Sequence, residues 1–410
     1  MYSAILIFLI TYIVISGSKY NALKIGRPAG VMLGAVLMIA AKVIKPQEVY
    51  GVINWDTIVL LLGMMIIIEH LAEANFFEYV AEKINRKNYG TNKLLFILTF
   101  CFGFLAAFLV NDIVCIFFTP ILLIMIRERK LPAMPFLLAL ASSANVGSIM
   151  AFTGNPQNMI IGTISGISYS KFFLLMLPIG IITLYVNYYI ISKMYKKELA
   201  EELIEIKTSE NIKVKPLLKR SVTVTIAVIL CFFMFKESAW VAISGATALL
   251  LLARRDEADI LKKIDWNLLL FFAGLFVVVG GLQISGVTEM AVEKTAGYMG
   301  NSLSGMWFFG IFTMIASNIV TNVPYVLLIS DSVKAAVSPE QFWFVLAFAS
   351  TIAGNITIIG SVANVIVVER SKESCMITFW DFFKLGLPST IINFIIGMSF
   401  LSLYKIAGFF

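Results

Sequence analysis

The chain has 410 residues, of which 59% are hydrophobic and 14% charged, with a mean hydropathy of +0.89. Soluble domains hold roughly 45–50% apolar and 25% charged residues, so the composition excludes a soluble fold and calls for a polytopic membrane protein. The formal net charge of +7 does not mark a nucleic-acid binder. Twenty-five of the 32 Lys and Arg fall in six clusters (19–27, 83–93, 127–130, 193–220, 254–263 and 370–384) that one topology places on a single face. By the positive-inside rule that face is cytoplasmic.

Residues 1–17 form an apolar run whose first charges, Lys19 and Lys24, come after it. That order predicts a retained first span with the N-terminus outside rather than a signal peptide. A second span, about 28–45, returns outward. The third starts after the interfacial pair Trp55-Asp56 and runs to about Leu71. Glu69 and His70 close it near the cytoplasmic face, where interfacial placement and a proton relay are both open readings. Residues 72–88 put Phe76, Phe77, Val80 and Ile84 on one face, the pattern of an amphipathic helix lying in the interface.

From Leu94 to Ile126 there is one charge, Asp112, and both ends are basic. A re-entrant hairpin with its tip at Asn111-Asp112 is expected, two short complete spans being the alternative. At about 1.5 Å per residue, arms of roughly 15 residues would barely cross. The next segment, about 132–165, carries Thr153-Gly154-Asn155-Pro156-Gln157-Asn158 in its middle. Irregular backbone in hydrocarbon survives only against protein or a water-filled cavity. Asn155 is a good N-cap and Pro156 suits the first helical position, so a broken helix that restarts here is expected, an ordinary Pro kink being the alternative. A span at about 172–192 then leads to a charged run read as a cytoplasmic linker.

The second half repeats the first. Ile53–Met65 pairs with Ile264–Phe276, and Leu109–Pro120 with Ala316–Pro324. Gly154–Asn158 pairs with Gly360–Asn364, and Ser168–Pro178 with Thr378–Pro388. The expected architecture is therefore all-α, with two inverted-topology repeats at 1–200 and 219–410 joined by a linker at 201–218. Each repeat holds about three scaffold spans, a hairpin, a broken helix and a final span. The second hairpin, about 304–330, is given a tip at Ser317-Asn318, and the second broken helix spans about 342–366. Both termini lie outside and the 193–220 run inside. Interrupted spans at matching places in two halves are the best sequence pointer to a transporter's binding site.

Four polar breaks supply candidate substrate- or ion-binding residues. They are Asn111 and Asp112; Thr153, Gly154, Asn155, Gln157 and Asn158; Ser317, Asn318, Thr321 and Asn322; and Asn355, Thr357, Gly360, Ser361 and Asn364. Carbonyls ending one half-helix coordinate cations, and N–H groups opening the next hold an oxyanion or hydroxylated solute. Sodium would sit near Asn111, Asp112, Asn155, Ser317 and Asn318. No Lys or Arg lies at a break, and Asp112 is the lone carboxylate there, costing about 2.5–3.5 kcal/mol at mid-membrane unless it has a function or a partner. The single histidine and four unclustered cysteines (Cys101, Cys115, Cys231, Cys375) argue against a metalloenzyme, and the cysteines read as reduced packing residues. An intramembrane enzyme would need a nucleophile–base pair or ligand cluster that the spans lack. No Walker motif occurs, so ATP drive would require a partner subunit.

With these residues in view, the paired motifs LVNDIVCIFFTP with GNPQN and SNIVTNVP with GSVAN resemble the ion transporter superfamily. That group includes ArsB-type arsenite permeases, NhaD-type sodium/proton antiporters, citrate–metal carriers and divalent-anion/sodium symporters. The resemblance implies a dimerising scaffold and a transport part built from hairpins and broken helices. It also implies a small inorganic or carboxylate solute and no cofactor beyond a coupling proton or sodium ion. Hairpin tips in the dicarboxylate symporters read Ser-Asn-Thr. Here Val110-Asn111-Asp112 and Ser317-Asn318-Ile319 depart from that, and Asn322-Val323-Pro324 leans toward the arsenite-permease and antiporter side. The expected function is secondary transport of a small oxyanion or neutral oxyacid in the plasma membrane, with sodium/proton antiport as the alternative.

Overall fold

A computed structural model describes residues 1–17, 26–87, 89–200, 216–253, 257–290 and 300–410, and among these all regular structure is helical. Among the described residues seven helices are long and apolar enough to cross a membrane, and four shorter ones are predominantly apolar. The chain is a multi-pass membrane protein. Residues 201–215, most of the expected linker, lie outside the described residues.

The first half begins with α1 (Tyr2–Gly17), α2 (Arg27–Ala40), the short α3 (Pro46–Val52), α4 (Trp55–Glu73) and α5 (Phe76–Asn85). A hairpin follows, α6 (Thr91–Leu109) and α7 (Asn111–Arg129). Then come α8 (Ala133–Ser148), a 3-10 turn at Phe152–Gly154, α9 (Pro156–Ile164) and the long α10 (Tyr169–Met194). The second half runs in the same order. Its first four helices are α11 (Pro216–Met234), α12 (Ser238–Ala253), α13 (Glu257–Leu261) and α14 (Trp266–Ile284). A hairpin of α15 (Leu303–Val320) and α16 (Asn322–Lys334) comes next. The half ends with α17 (Pro339–Ala353), a 3-10 turn at Ile358–Gly360, α18 (Val362–Ser371) and α19 (Phe379–Ile406).

Packing follows the duplication. The pair α4–α12 has its counterpart in α14–α2, α1–α2 in α11–α12, α6–α8 in α15–α17, and α10–α8 in α19–α17. Helices α10 and α19 meet each other at the centre of this arrangement. One layer holds α1, α2, α4, α11, α12 and α14; the other holds the hairpins, the broken helices, α10 and α19.

Both helix breaks form where expected, and for the expected reason at the first. The Asn155 side chain accepts the Asn158 N–H at 2.8 Å, and Pro156 opens α9. At the second break Ser361 occupies the cap position with extended backbone but makes no capping bond; its hydroxyl is used elsewhere. Gly154 and Gly360 let the chain fold back on its own preceding helix. A Cβ at Gly154 would lie 2.2 Å from the Ser148 carbonyl oxygen, and one at Gly360 would lie 2.7 Å from that of Gly354.

Two expectations are corrected. The tip of the second hairpin is not Ser317-Asn318: α15 continues through both to Val320, and the chain turns at Thr321-Asn322. Continuing the helix satisfies the backbone of Ser317 and Asn318, which the apolar setting rewards. The first turn is where expected, at Val110 before Asn111-Asp112. Its arms are longer than the expected 15 residues, 19 each or about 28 Å. Length therefore does not separate a hairpin from two spans; the tip itself meets the helix breaks. The amphipathic α5 packs against the protein. Phe77 is buried and stacks on Phe117 of α7 at 4.6 Å, so the apolar face clamps the hairpin.

Candidate functional site

The two hairpin tips and the second break converge on a cavity of about 300 Å³. Its wall includes Asn111 and Asp112 from the first tip, Thr321 and Asn322 from the second, Pro156 and Gln157 opening α9, and Gly360 and Ser361 before α18. Seven of the sixteen expected site residues thus line one space. The Asp112 carboxylate lies near enough to the Ala363 N–H, in the first turn of α18, to interact with it electrostatically. The carboxylate is thereby placed at the positive end of that helix.

Several of the others join a buried polar lattice behind the wall. Asn145, near the end of α8, is its hub. Its Oδ1 accepts from Asn111 Nδ2 and Ser361 Oγ, both at 2.8 Å. Its Nδ2 donates to Asn355 Oδ1 at 2.8 Å and Asn364 Oδ1 at 2.9 Å. Thr351, the counterpart of Asn145 in α17, accepts from Asn155 at 3.2 Å and Gln157 at 3.3 Å. Each half therefore braces the break of the other. Asn158 and Asn364 do matching work: Asn158 donates to the carbonyls of Ser148 and Ala151, and Asn364 to those of Gly354 and Thr357. Thr153 turns away from the cavity, bonded to the Ala107 carbonyl and the Tyr169 hydroxyl. Asn318 donates to the carbonyls of Met314 and Ala353.

Five buried side-chain oxygens in this region make no hydrogen bond among the described residues: Asn111 Oδ1, Asn158 Oδ1, Ser317 Oγ, Asn318 Oδ1 and Asn322 Oδ1. Buried polar atoms are ordinarily satisfied, so orphans at both hairpins and at the first break, two of them in the cavity wall (Asn111 and Asn322), call for an explanation. A set made only of amide and hydroxyl oxygens is the donor chemistry of a hard cation.

The wall also holds groups that sequence reasoning passed over. Arg27, at the start of α2, and Asp265 and Asn267, at the start of α14, line the same cavity. Arg27 interacts electrostatically with Asp112. No basic residue lies at the breaks in sequence, yet one faces their cavity in space. Asp265 caps α14 by accepting the Leu268 N–H at 3.1 Å. The IDWN block that carries Asp265 and Asn267 was visible as a repeat mark and was the one signal available.

A family model described as citrate transporter matches residues 8–347. The chain belongs to the citrate transporter family. Within the curated relatives of this family member, the silicon efflux transporter LSI3 of Oryza sativa subsp. japonica is 31% identical over 92% of both chains. A Dictyostelium discoideum protein that carries the name arsB is 28% identical over 97% of this chain and 91% of its own. A solved structure of the Alcanivorax borkumensis YdaH transporter shares the fold, with a TM-score of 0.62 over 88% of each chain at 10% identity. Membership makes this citrate-family chain a membrane transporter for a small solute.

Proposed function

We propose that the protein moves a small oxyanion or neutral oxyacid, with proton or sodium binding at Asp112 coupling the movement to an ion gradient. The observation that carries this reading is the composition of the cavity wall. One carboxylate from the hairpins, amides, hydroxyls and the N-terminal turns of α9 and α18 face a space of about 300 Å³. Helix N-termini suit oxygen-rich solutes, and the orphaned oxygens suit a cation bound beside them. A bare carboxylate repels an anion, so cation binding at Asp112 precedes the solute. Relatives named for silicon efflux and for arsB add support for an uncharged oxyacid.

The cavity lies where α2 and α14 begin, helices that in sequence follow the basic segments 19–27 and 254–263, and we assign that face to the cytoplasm. A second cavity, of about 520 Å³, lies toward the other ends of α14 and α16, beside Gln283, Asp331 and Lys334. The two are separated along α14 by the single turn from Phe272 to Phe276. Alternate opening of these ends, in a dimer with both termini outside, is the proposed transport cycle.

The test is uptake into proteoliposomes of arsenite, silicate, citrate and sulfate under imposed pH or sodium gradients. One of the oxyacids is expected to accumulate, and Asp112→Asn to abolish accumulation while sparing downhill exchange. Sodium movement against a pH gradient with no solute transported would replace this reading with antiport. Accumulation that survives Asp112→Asn with unchanged ion dependence would remove Asp112 from the coupling role.

A further inference from the structure

The cavity sets charges from the two layers against each other. Asp112 belongs to the hairpin layer, and Ala363, beside it, belongs to that layer too, because α7 and α18 pack together. Arg27 opens α2 in the other layer, and α2 packs on α14. Among the described residues Arg27 and Asp112 close no direct ion pair, although both line the cavity. Asp265 is the other charged group in the wall among the described residues; it belongs to the α2–α14 layer, caps α14 and also acts electrostatically on Asp112, with a sign opposite to that of Arg27. The Cys115 thiol lies close enough to feel the charge of Asp112.

If the layers shift, Asp112 keeps its place beside Ala363, on helices packed in the same layer, but changes its distance to Arg27. The hydrogen bonds that cross between the layers are made by side chains on at least one partner, as at Thr57 with Thr163 (2.9 Å), Gln283 with Asp331 (2.8 Å) and Ser170 with the Phe233 carbonyl (2.8 Å). An opposite charge within a few ångströms of a carboxylate competes directly with any cation that would bind there.

We propose that Arg27 expels the coupling cation: when the cavity is open where α2 and α14 begin, the guanidinium faces Asp112 and weakens its hold on the bound ion. When the layers shift, Asp112 leaves Arg27 behind and regains its affinity. A fixed positive charge on the stationary layer thereby makes one end of the cycle a release site and the other a loading site, with no gradient of its own. The same charge remains in the wall after the ion departs and offsets the carboxylate as the solute leaves. This deepens the assignment of Asp112 as the coupling site and rests on it.

The experiment measures cation affinity directly on the purified full chain, so that no solute need be known. Sodium is read by radiolabelled binding, and protons by titrating the carboxylic acid band in infrared difference spectra that Asp112→Asn removes. Arg27→Gln is expected to tighten binding of the coupling cation by about tenfold or more, which for protons is about one pH unit. Arg27→Lys, which keeps the charge, should return the affinity to that of the unmodified chain. In the double variant Arg27→Gln/Asp112→Asn the gain should vanish, because the effect runs through Asp112. Unchanged affinity for both cations in Arg27→Gln, with Asp112→Asn still abolishing binding, overturns the role of Arg27 alone. The same gain in the Asp112→Asn background also overturns it. Cation binding that persists unchanged in Asp112→Asn overturns the coupling assignment instead.

Discussion

Asn145 and Ser317 show how differently two buried polar residues behave at this site. The amide of Asn145 uses both acceptor lone pairs and both donors, and its four partners come from the first hairpin and the second break. Asn145→Ala would strand all four, and each unsatisfied buried group costs about 1–3 kcal/mol. A large fall in the thermal unfolding midpoint, with loss of transport, is therefore expected in detergent-solubilised protein. Ser317 Oγ bonds to nothing among the described residues, so Ser317→Ala should leave the midpoint unchanged or slightly raised while weakening sodium binding. A midpoint that falls as far as that of Asn145→Ala would make Ser317 a structural residue. The break residues were legible because a polar group in hydrocarbon is expensive and must be explained. Asn145 was not, because it sits within a continuous helix and nothing local marks it as a hub. Arg27 was hidden for a related reason: in sequence it is one loop charge among many, and only the fold carries it to Asp112.

At the scale of elements, both hairpins turn on a β-branched residue in left-handed backbone, Val110 at φ +63° and Thr321 at φ +69°. The conformation of Thr321, with ψ of 154°, is one that essentially only glycine adopts freely. Holding a threonine there costs about 1–3 kcal/mol, a cost that persists because the tip is fixed against the cavity wall. Thr321→Gly should relieve the strain and raise the thermal midpoint, and it should also slow transport because the tip loses its fixed geometry. A lowered midpoint would show that the threonine side chain contributes more in packing than its backbone costs. Sequence reasoning located the first tip through Asp112, a charge with no apolar explanation. It misplaced the second by one helical turn, since Ser317-Asn318 and Thr321-Asn322 are equally polar and one turn apart. Choosing between them requires knowing that Asn318 bonds back to the Met314 carbonyl within α15 and across to Ala353.

At the scale of the whole molecule, the duplication is expressed in packing that no single stretch encodes. Helices α4 and α14 take equivalent partners, α12 and α2, and the short helices α3 and α13 precede them at matching distance, Pro46 aligning with Glu257. If each half contains an odd number of crossings, as three scaffold spans, a broken helix and a final span imply, its mate must begin on the opposite face. The membrane then sees α3 from one side and α13 from the other, although their surroundings in the protein are alike. Gln47 and Ala258 are corresponding exposed positions on these helices. Cysteines placed there in a background lacking the four native ones should react with a membrane-impermeant maleimide from opposite sides of the cell membrane, Gln47→Cys from outside and Ala258→Cys only after permeabilisation. Were both labelled in intact cells, the halves would share one orientation, and the two cavities at the ends of α14 could not be related ends of one transport path. Labelling of Ala258→Cys alone in intact cells would keep the inversion but reverse the face assigned to the cytoplasm, moving Arg27 and its proposed release of the cation to the outer side.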